Sequence, residues 1–205
     1  MHKRIHFSRA FAWLCIALGT PVLAGCAAAG VVSAMASATG SVLEATGLKK
    51  PSDAPTDVKF SIQAGQNLNI SNGQAMAVVT KIYYLKNSDS FKQAPMSSLI
   101  DEKQEKDRLG DSVIAKREVT LMPGQVYQTT EKVPKDAVAI GVAALFFAPA
   151  PYRWKYVFDI KDAKDTGIVL GAHACALTVA TGKVSAPLGA PQFDAARLGS
   201  LQCPA

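Results

Sequence analysis

The sequence predicts an all-β domain, an antiparallel sandwich of two sheets with a short helical insertion. Three observations predict it. Apolar and polar residues alternate with a period of two over several short runs, giving each run one dry and one wet face. Turn-forming stretches such as Asn72-Gly73 and Pro123-Gly124 separate the runs. Helical spacing is confined to one stretch after Asn87.

In the first predicted strand, Val58, Phe60, Ile62 and Ala64 alternate with Asp57, Lys59, Ser61 and Gln63. A polar stretch follows over 65–74. The run 75–85 is apolar on both faces, at Met76, Val78, Val79, Ile82, Tyr83 and Leu85, as a central strand would be. Asn87-Ser88-Asp89-Ser90 fits the start of a short helix carrying Phe91, and Met96, Leu99 and Ile100 keep helical spacing. The mixed charges of 101–108 predict a solvated helix face or loop.

The runs 113–121 and 126–133 predict a hairpin about Met122-Pro123-Gly124-Gln125, with Gln128, Thr130 and Lys132 on its wet face. The most apolar run of the domain, 137–147, predicts a buried strand in which Gly141 marks a bulge or close contact. Ala148-Pro149-Ala150-Pro151 lacks the amides to stay in a sheet. In the next strand Trp154, Tyr156, Phe158 and Ile160 share one face, with Arg153, Lys155 and Asp159 opposite. A polar loop is expected over 161–167, and Cys175, Leu177 and Val179 alternate in a last strand before an irregular tail containing Pro187 and Pro191.

The N-terminal segment is of another kind. Lys3, Arg4 and Arg9 precede an apolar run from Phe11 to Leu23, too short for a spanning helix and suited to a secretory signal. The run closes in Leu23-Ala24-Gly25-Cys26, which resembles the lipobox of bacterial lipoproteins; an ordinary cleaved signal is the plainer alternative. The lipobox implies a signal over 1–25 and a mature N-terminus at Cys26 bearing three acyl chains, palmitate among them. Two or more chains hold a protein stably on a bilayer where one holds it marginally. Ala27, in place of aspartate, implies sorting to the outer membrane with the domain facing the periplasm. Residues 26–56, rich in Ala, Gly, Ser and Thr and ending near Pro51 and Pro55, fit a flexible tether, and 57–205 the folded domain.

Cleavage before Cys26 leaves 180 of the 205 residues. Three of the 22 basic residues go with the signal, so 19 face 16 acidic ones, a balance of +3 that is no nucleic-acid footprint. Of four cysteines, Cys15 is lost and Cys26 is the lipid site. Cys175 and Cys203 remain, and in an oxidising compartment they suggest a disulfide contributing about 3–4 kcal/mol; two buried thiols are the alternative. The mature chain has one histidine, His173, with no nucleophile motif beside it. No metal set, cofactor loop or catalytic residue is expected, and so no enzyme.

Several motifs occur in one order. Leu68, Asn69 and Gly73 lie in a loop. Lys81-Ile82-Tyr83-Tyr84-Leu85-Lys86 follows, then Phe91, Ala94 and Leu99, then Leu109-Gly110-Asp111. Thr120-Leu121-Met122-Pro123-Gly124, the run from Ile140 to Phe146, and Arg153-Trp154 complete the series. This set resembles the outer-membrane lipoproteins of type VI secretion systems, the TssJ (VasD/Lip) family. Lys81 stands where the family usually has arginine, and Leu145 where it has an aromatic residue.

The resemblance implies a transthyretin-like sandwich. It also implies a structural role: anchoring the secretion membrane complex by binding the periplasmic C-terminal region of TssM, with TssL associated indirectly. The family's binding loop maps to Gln66, Asn67, Leu68, Asn69, Ile70, Ser71, Asn72 and Gly73, with Leu68 and Ile70 as apolar anchors. A second reading is a periplasmic carrier holding an apolar ligand between its sheets, with Ala139, Gly141, Ala143 and Ala144 leaving the room.

Overall fold

A computed structural model of the chain describes residues 54–185, 194–199 and 201–204. All belong to one of the two units into which the chain divides, Asp53–Ala205. The signal, Cys26 and all but the last residues of the tether (54–56) lie outside the described residues.

Among the described residues, two four-stranded sheets face each other. One runs in the order β4-β1-β7-β8, from β1 (Thr56–Ala64), β4 (Val126–Val133), β7 (Ile168–Ala172) and β8 (Leu177–Thr181). The other runs β3-β2-β5-β6, from β2 (Val78–Leu85), β3 (Val113–Leu121), β5 (Ala139–Ala144) and β6 (Lys155–Asp159). Every pairing is antiparallel except β1 with β7. The predicted all-β sandwich is therefore the observed fold. Val58, Phe60 and Ile62 meet Ile82, Tyr84, Ile140, Val142, Tyr156 and Phe158 in the core between the sheets. Each large side chain fully buried there contributes about 1.5–3 kcal/mol.

Three expectations are corrected. First, β3 and β4 are not a hairpin. β3 pairs with β2 (Val78 opposite Leu121) and β4 with β1 (Gln63 opposite Val126), so the 122–125 turn carries the chain from one sheet to the other. β1 and β2 are central strands that need a neighbour on each edge; pairing β3 with β4 would leave both with an open edge. Second, 161–167 is not a polar loop, and Ile160 does not continue the strand before it. Ile160 and Ala163, three residues apart, give a helix, Ile160–Thr166, one buried edge. Gly167, at φ 72°, ends it, with its amide donating to the Ala163 carbonyl at 2.8 Å. Third, the short strand β7 escapes the period-two signal, and Cys175 lies in the turn before β8 rather than in a strand.

The helical insertion covers the outer face of the second sheet. It comprises α1 (Asp89–Gln93), α2 (Met96–Ile100), α3 (Glu102–Leu109) and a 3-10 turn, Gly110–Ser112; Ile160–Thr166 is α4. Phe91, Leu99 and Leu109 pack on Tyr83, Leu85, Ala139, Ala143 and Val157 as a second core. A Cβ on Gly141 would sit 2.9 Å from the Phe91 ring, which is why glycine stands there.

The charged run is only partly solvated. Asp101 caps α3 by accepting the Gln104 amide at 2.8 Å, but Glu105 is buried. Its carboxylate lies 2.5 Å from Lys81 Nζ and 3.1 Å from Lys116 Nζ. At the other side of the insertion, Lys155 Nζ donates to the carbonyls of Phe91, Lys92 and Ala94 at 2.6, 2.8 and 2.6 Å, closing the C-terminal end of α1.

Candidate functional site

The topology collects four connections at one end of the sandwich. These are the β1–β2 loop (65–77), the β3–β4 turn (122–125), the β5–β6 loop (145–154) and the β7–β8 turn (173–176). The insertion, α4 and the start of β1 at Thr56 lie at the opposite end.

The β1–β2 loop is held by backbone and side-chain hydrogen bonds. Gly65 begins it, its amide donating to Ala172 O at 2.8 Å. Asn69 and Ile70 donate their amides to His173 O and Ala174 O at 3.0 and 2.9 Å. Ser71 and Gln74 exchange backbone bonds of 3.0 and 2.9 Å around a tight turn. Both central residues of that turn have positive φ, 51° at Asn72 and 75° at Gly73, the conformation that Asn-Gly favours.

The predicted binding residues divide. Gln66, Asn67, Asn72 and Gly73 are exposed, and Ile70 and Ser71 half-buried. Leu68 is not a surface anchor. It is 0% exposed and belongs to the core between the sheets, because the loop turns its apolar side chain under itself. Asn69, 6% exposed, is also internal: its Nδ2 donates to Ala77 O at 2.7 Å and its Oδ1 accepts from Phe147 N at 2.7 Å.

Around this loop the end surface exposes residues that sequence reasoning left elsewhere. Phe147, assigned above to a buried strand, is 72% exposed, because β5 ends at Ala144 and the prolines that follow lead the chain out. Met76, Met122, Val126 and Tyr152 are exposed there as well. A further property was legible in the sequence. No Asp, Glu, Lys or Arg occurs between Lys59 and Lys81, between Glu118 and Glu131, between Asp136 and Arg153, or between Asp165 and Lys183. The four connections fall inside these charge-free stretches, apart from Arg153 and Trp154 at the close of the third, and Arg153 is buried. The four connections thus make an apolar and amide-rich surface of the type that protein partners cover, with the exposed Asp194–Arg197 ion pair of the tail beside it.

His173 lies beside this end, half-buried, with Nε2 2.9 Å from Thr178 Oγ1; burial lowers its pKa from the usual value. Among the described residues no group of three or more His, Cys, Asp or Glu is placed to hold a metal ion. Cys175 and Cys203 are joined, S–S 2.04 Å, pinning the tail to the β7–β8 turn.

Known proteins resemble the chain over this same body. No curated protein matches its sequence. By fold it is similar to the type VI secretion lipoprotein TssJ1 from Pseudomonas aeruginosa. That chain is 23% identical, with a TM-score of 0.56 over 64% of this chain and 99% of that one. It is similar to a chain of a type VI membrane complex, 27% identical, with a TM-score of 0.55 over 61% of this chain and 98% of the other. A chain from a structure named for the T6SS protein TssM C-terminal domain (869-1107) from EAEC is 26% identical, with a TM-score of 0.53 over 60% and 97%. The model of one family, the type VI secretion lipoproteins VasD, EvfM and TssJ, matches residues 56–175, more than half of the chain. The chain belongs to the type VI secretion lipoprotein family of VasD, EvfM and TssJ.

Proposed function

We propose that this lipoprotein is held on the periplasmic face of the outer membrane by acyl chains on Cys26, and that it binds the periplasmic C-terminal region of TssM through the loop end of its sandwich. TssL is then reached indirectly, within the same membrane complex. The observation that carries this reading is the convergence of Gln66, Asn67, Ile70, Asn72, Met76, Met122 and Phe147 on one end, from loops with no exposed charged residue. The start of β1 supports it. The chain enters the sandwich at the end opposite these loops. The role is one of attachment, not of chemistry.

The carrier reading loses its main support. Ala139, Gly141 and Ala143 pack on the helical insertion rather than on the other sheet, a Cβ at Gly141 lying 2.9 Å from the Phe91 ring, and Ala144 is buried in the core between the sheets. A pull-down of the lipid-free domain with the periplasmic part of TssM tests the proposal. Retention of the fragment is expected, and failure to retain it at micromolar concentrations contradicts the reading.

A further inference from the structure

The tail beyond residue 193 is attached to the loop end at several points. Cys203 is bonded to Cys175. Leu198 and Leu201 pack on Ala150, Cys175 and Ala176. The buried Arg153 donates through Nη1 to Asp194 O and Arg197 O at 3.1 and 2.8 Å, and Val179 N donates to Ala195 O at 2.9 Å. The family match ends at Cys175, so Cys203 lies beyond the matched residues.

What the strap grips is the hub of the loop end. The 173–176 turn supplies His173 O and Ala174 O to the amides of Asn69 and Ile70. On its other side, Cys175 O accepts the Ala150 amide at 2.9 Å, and Leu177 N donates to Arg153 O at 2.6 Å. One short turn thus holds both the β1–β2 and the β5–β6 loops, and its central cysteine is the point at which the tail is bonded.

We infer that the disulfide-bonded tail is a positioning element of the partner surface. It fixes the 173–176 turn and, through that turn, pre-organises Asn69 and Ile70 before any partner arrives. This rests on the functional reading above for its effect on TssM, while the coupling between strap and loop stands on the hydrogen bonds alone. A loop already ordered loses less conformational entropy on binding, so removing the strap weakens association without removing a contact.

The test uses the whole lipid-free domain, as wild type and as Cys203→Ser, with site-resolved amide exchange and titration against the periplasmic part of TssM. Dithiothreitol reduction of the folded wild type is a second arm that needs no mutation; it breaks the S–S bond to two thiols as the reagent closes to its own disulfide. Exchange at Asn69 and Ile70 is expected to quicken about tenfold or more while amides of β2 and β5 hold their rates, and Kd to rise about tenfold. Uniform quickening across the sheets with a lowered Tm would mean a strap that only stabilises, and overturns the inference. Unchanged exchange at Asn69 and Ile70 overturns it too. If the wild type itself does not bind TssM, the functional reading fails, and the exchange measurement still decides the coupling.

Discussion

The Asn69 side chain joins two loops: its Oδ1 accepts the Phe147 amide at 2.7 Å while its Nδ2 donates to Ala77 O at 2.7 Å. The residue is buried and at φ 47°, a conformation that asparagine tolerates better than most. Asn69→Leu leaves a backbone donor and acceptor unpaired and strains the backbone. A loss of about 1–3 kcal/mol in urea unfolding is expected, whereas Asn67→Ala, on the exposed part of the same loop, should stay within about 0.5 kcal/mol.

Leu68 and Ile70 separate stability from binding. Leu68→Ala empties a site in the core between the sheets and should cost about 2–5 kcal/mol. Ile70→Ser touches the half-buried surface of the loop, so it should lower affinity for TssM by more than it lowers Tm. The reverse order of effects would return Leu68 to the partner surface.

Lys81 and Glu105 tie the insertion to the sheet. Both are buried, and their charged atoms are 2.5 Å apart, with Glu118 3.2 Å from the same ammonium. Glu105→Gln leaves Lys81 short of its main counter-charge and should cost about 3–5 kcal/mol. The double change Lys81→Met with Glu105→Leu should recover most of that loss, since no buried charge is then left unpaired. Thermal melts of the wild type and the two variants check this; a double variant no better than the single one would contradict it.

Lys155 gives a pH dependence of defined sign. Burial first, and the Arg108 charge second, pull its ammonium from 10.5 down to about 8. Between these values the unfolded chain binds a proton there that the folded chain has released. The contribution of Lys155 to stability therefore rises with pH across that window and is flat below it. The unfolding free energy of wild type minus that of Lys155→Met should increase from about pH 8 to about 10.5. A decrease would mean that the three carbonyls of α1 hold the ammonium charged.

The sequence made the layers legible and the pairing obscure. Period-two runs such as Val58, Phe60, Ile62 mark a buried face directly, and Asn72-Gly73 marks its turn, because both are local effects. Which strand lies beside which is not local: β3 and β4 carry the pattern of a hairpin and yet join different sheets. Glu105 reads as solvated in the sequence because its ion partners, Lys81 and Lys116, lie on strands that only the fold brings beside it. The resemblance points to the loop but not to the place of Leu68 within it, since an apolar residue in a polar loop fits an anchor and a core plug equally well. Phe147, Met76 and Met122 become neighbours only when the sandwich closes.

The most direct test of the central claim is a titration of the lipid-free domain with the periplasmic part of TssM at low and high salt, for wild type and Phe147→Ser. Loops without exposed charge, flanked by the mutually paired Asp194 and Arg197, predict a wild-type Kd that changes less than about threefold between about 50 and 500 mM NaCl, and a loss of about tenfold or more in the variant at unchanged Tm. Binding that weakens steeply with salt, or that is indifferent to Phe147, would put the partner on a charged face elsewhere and contradict the account.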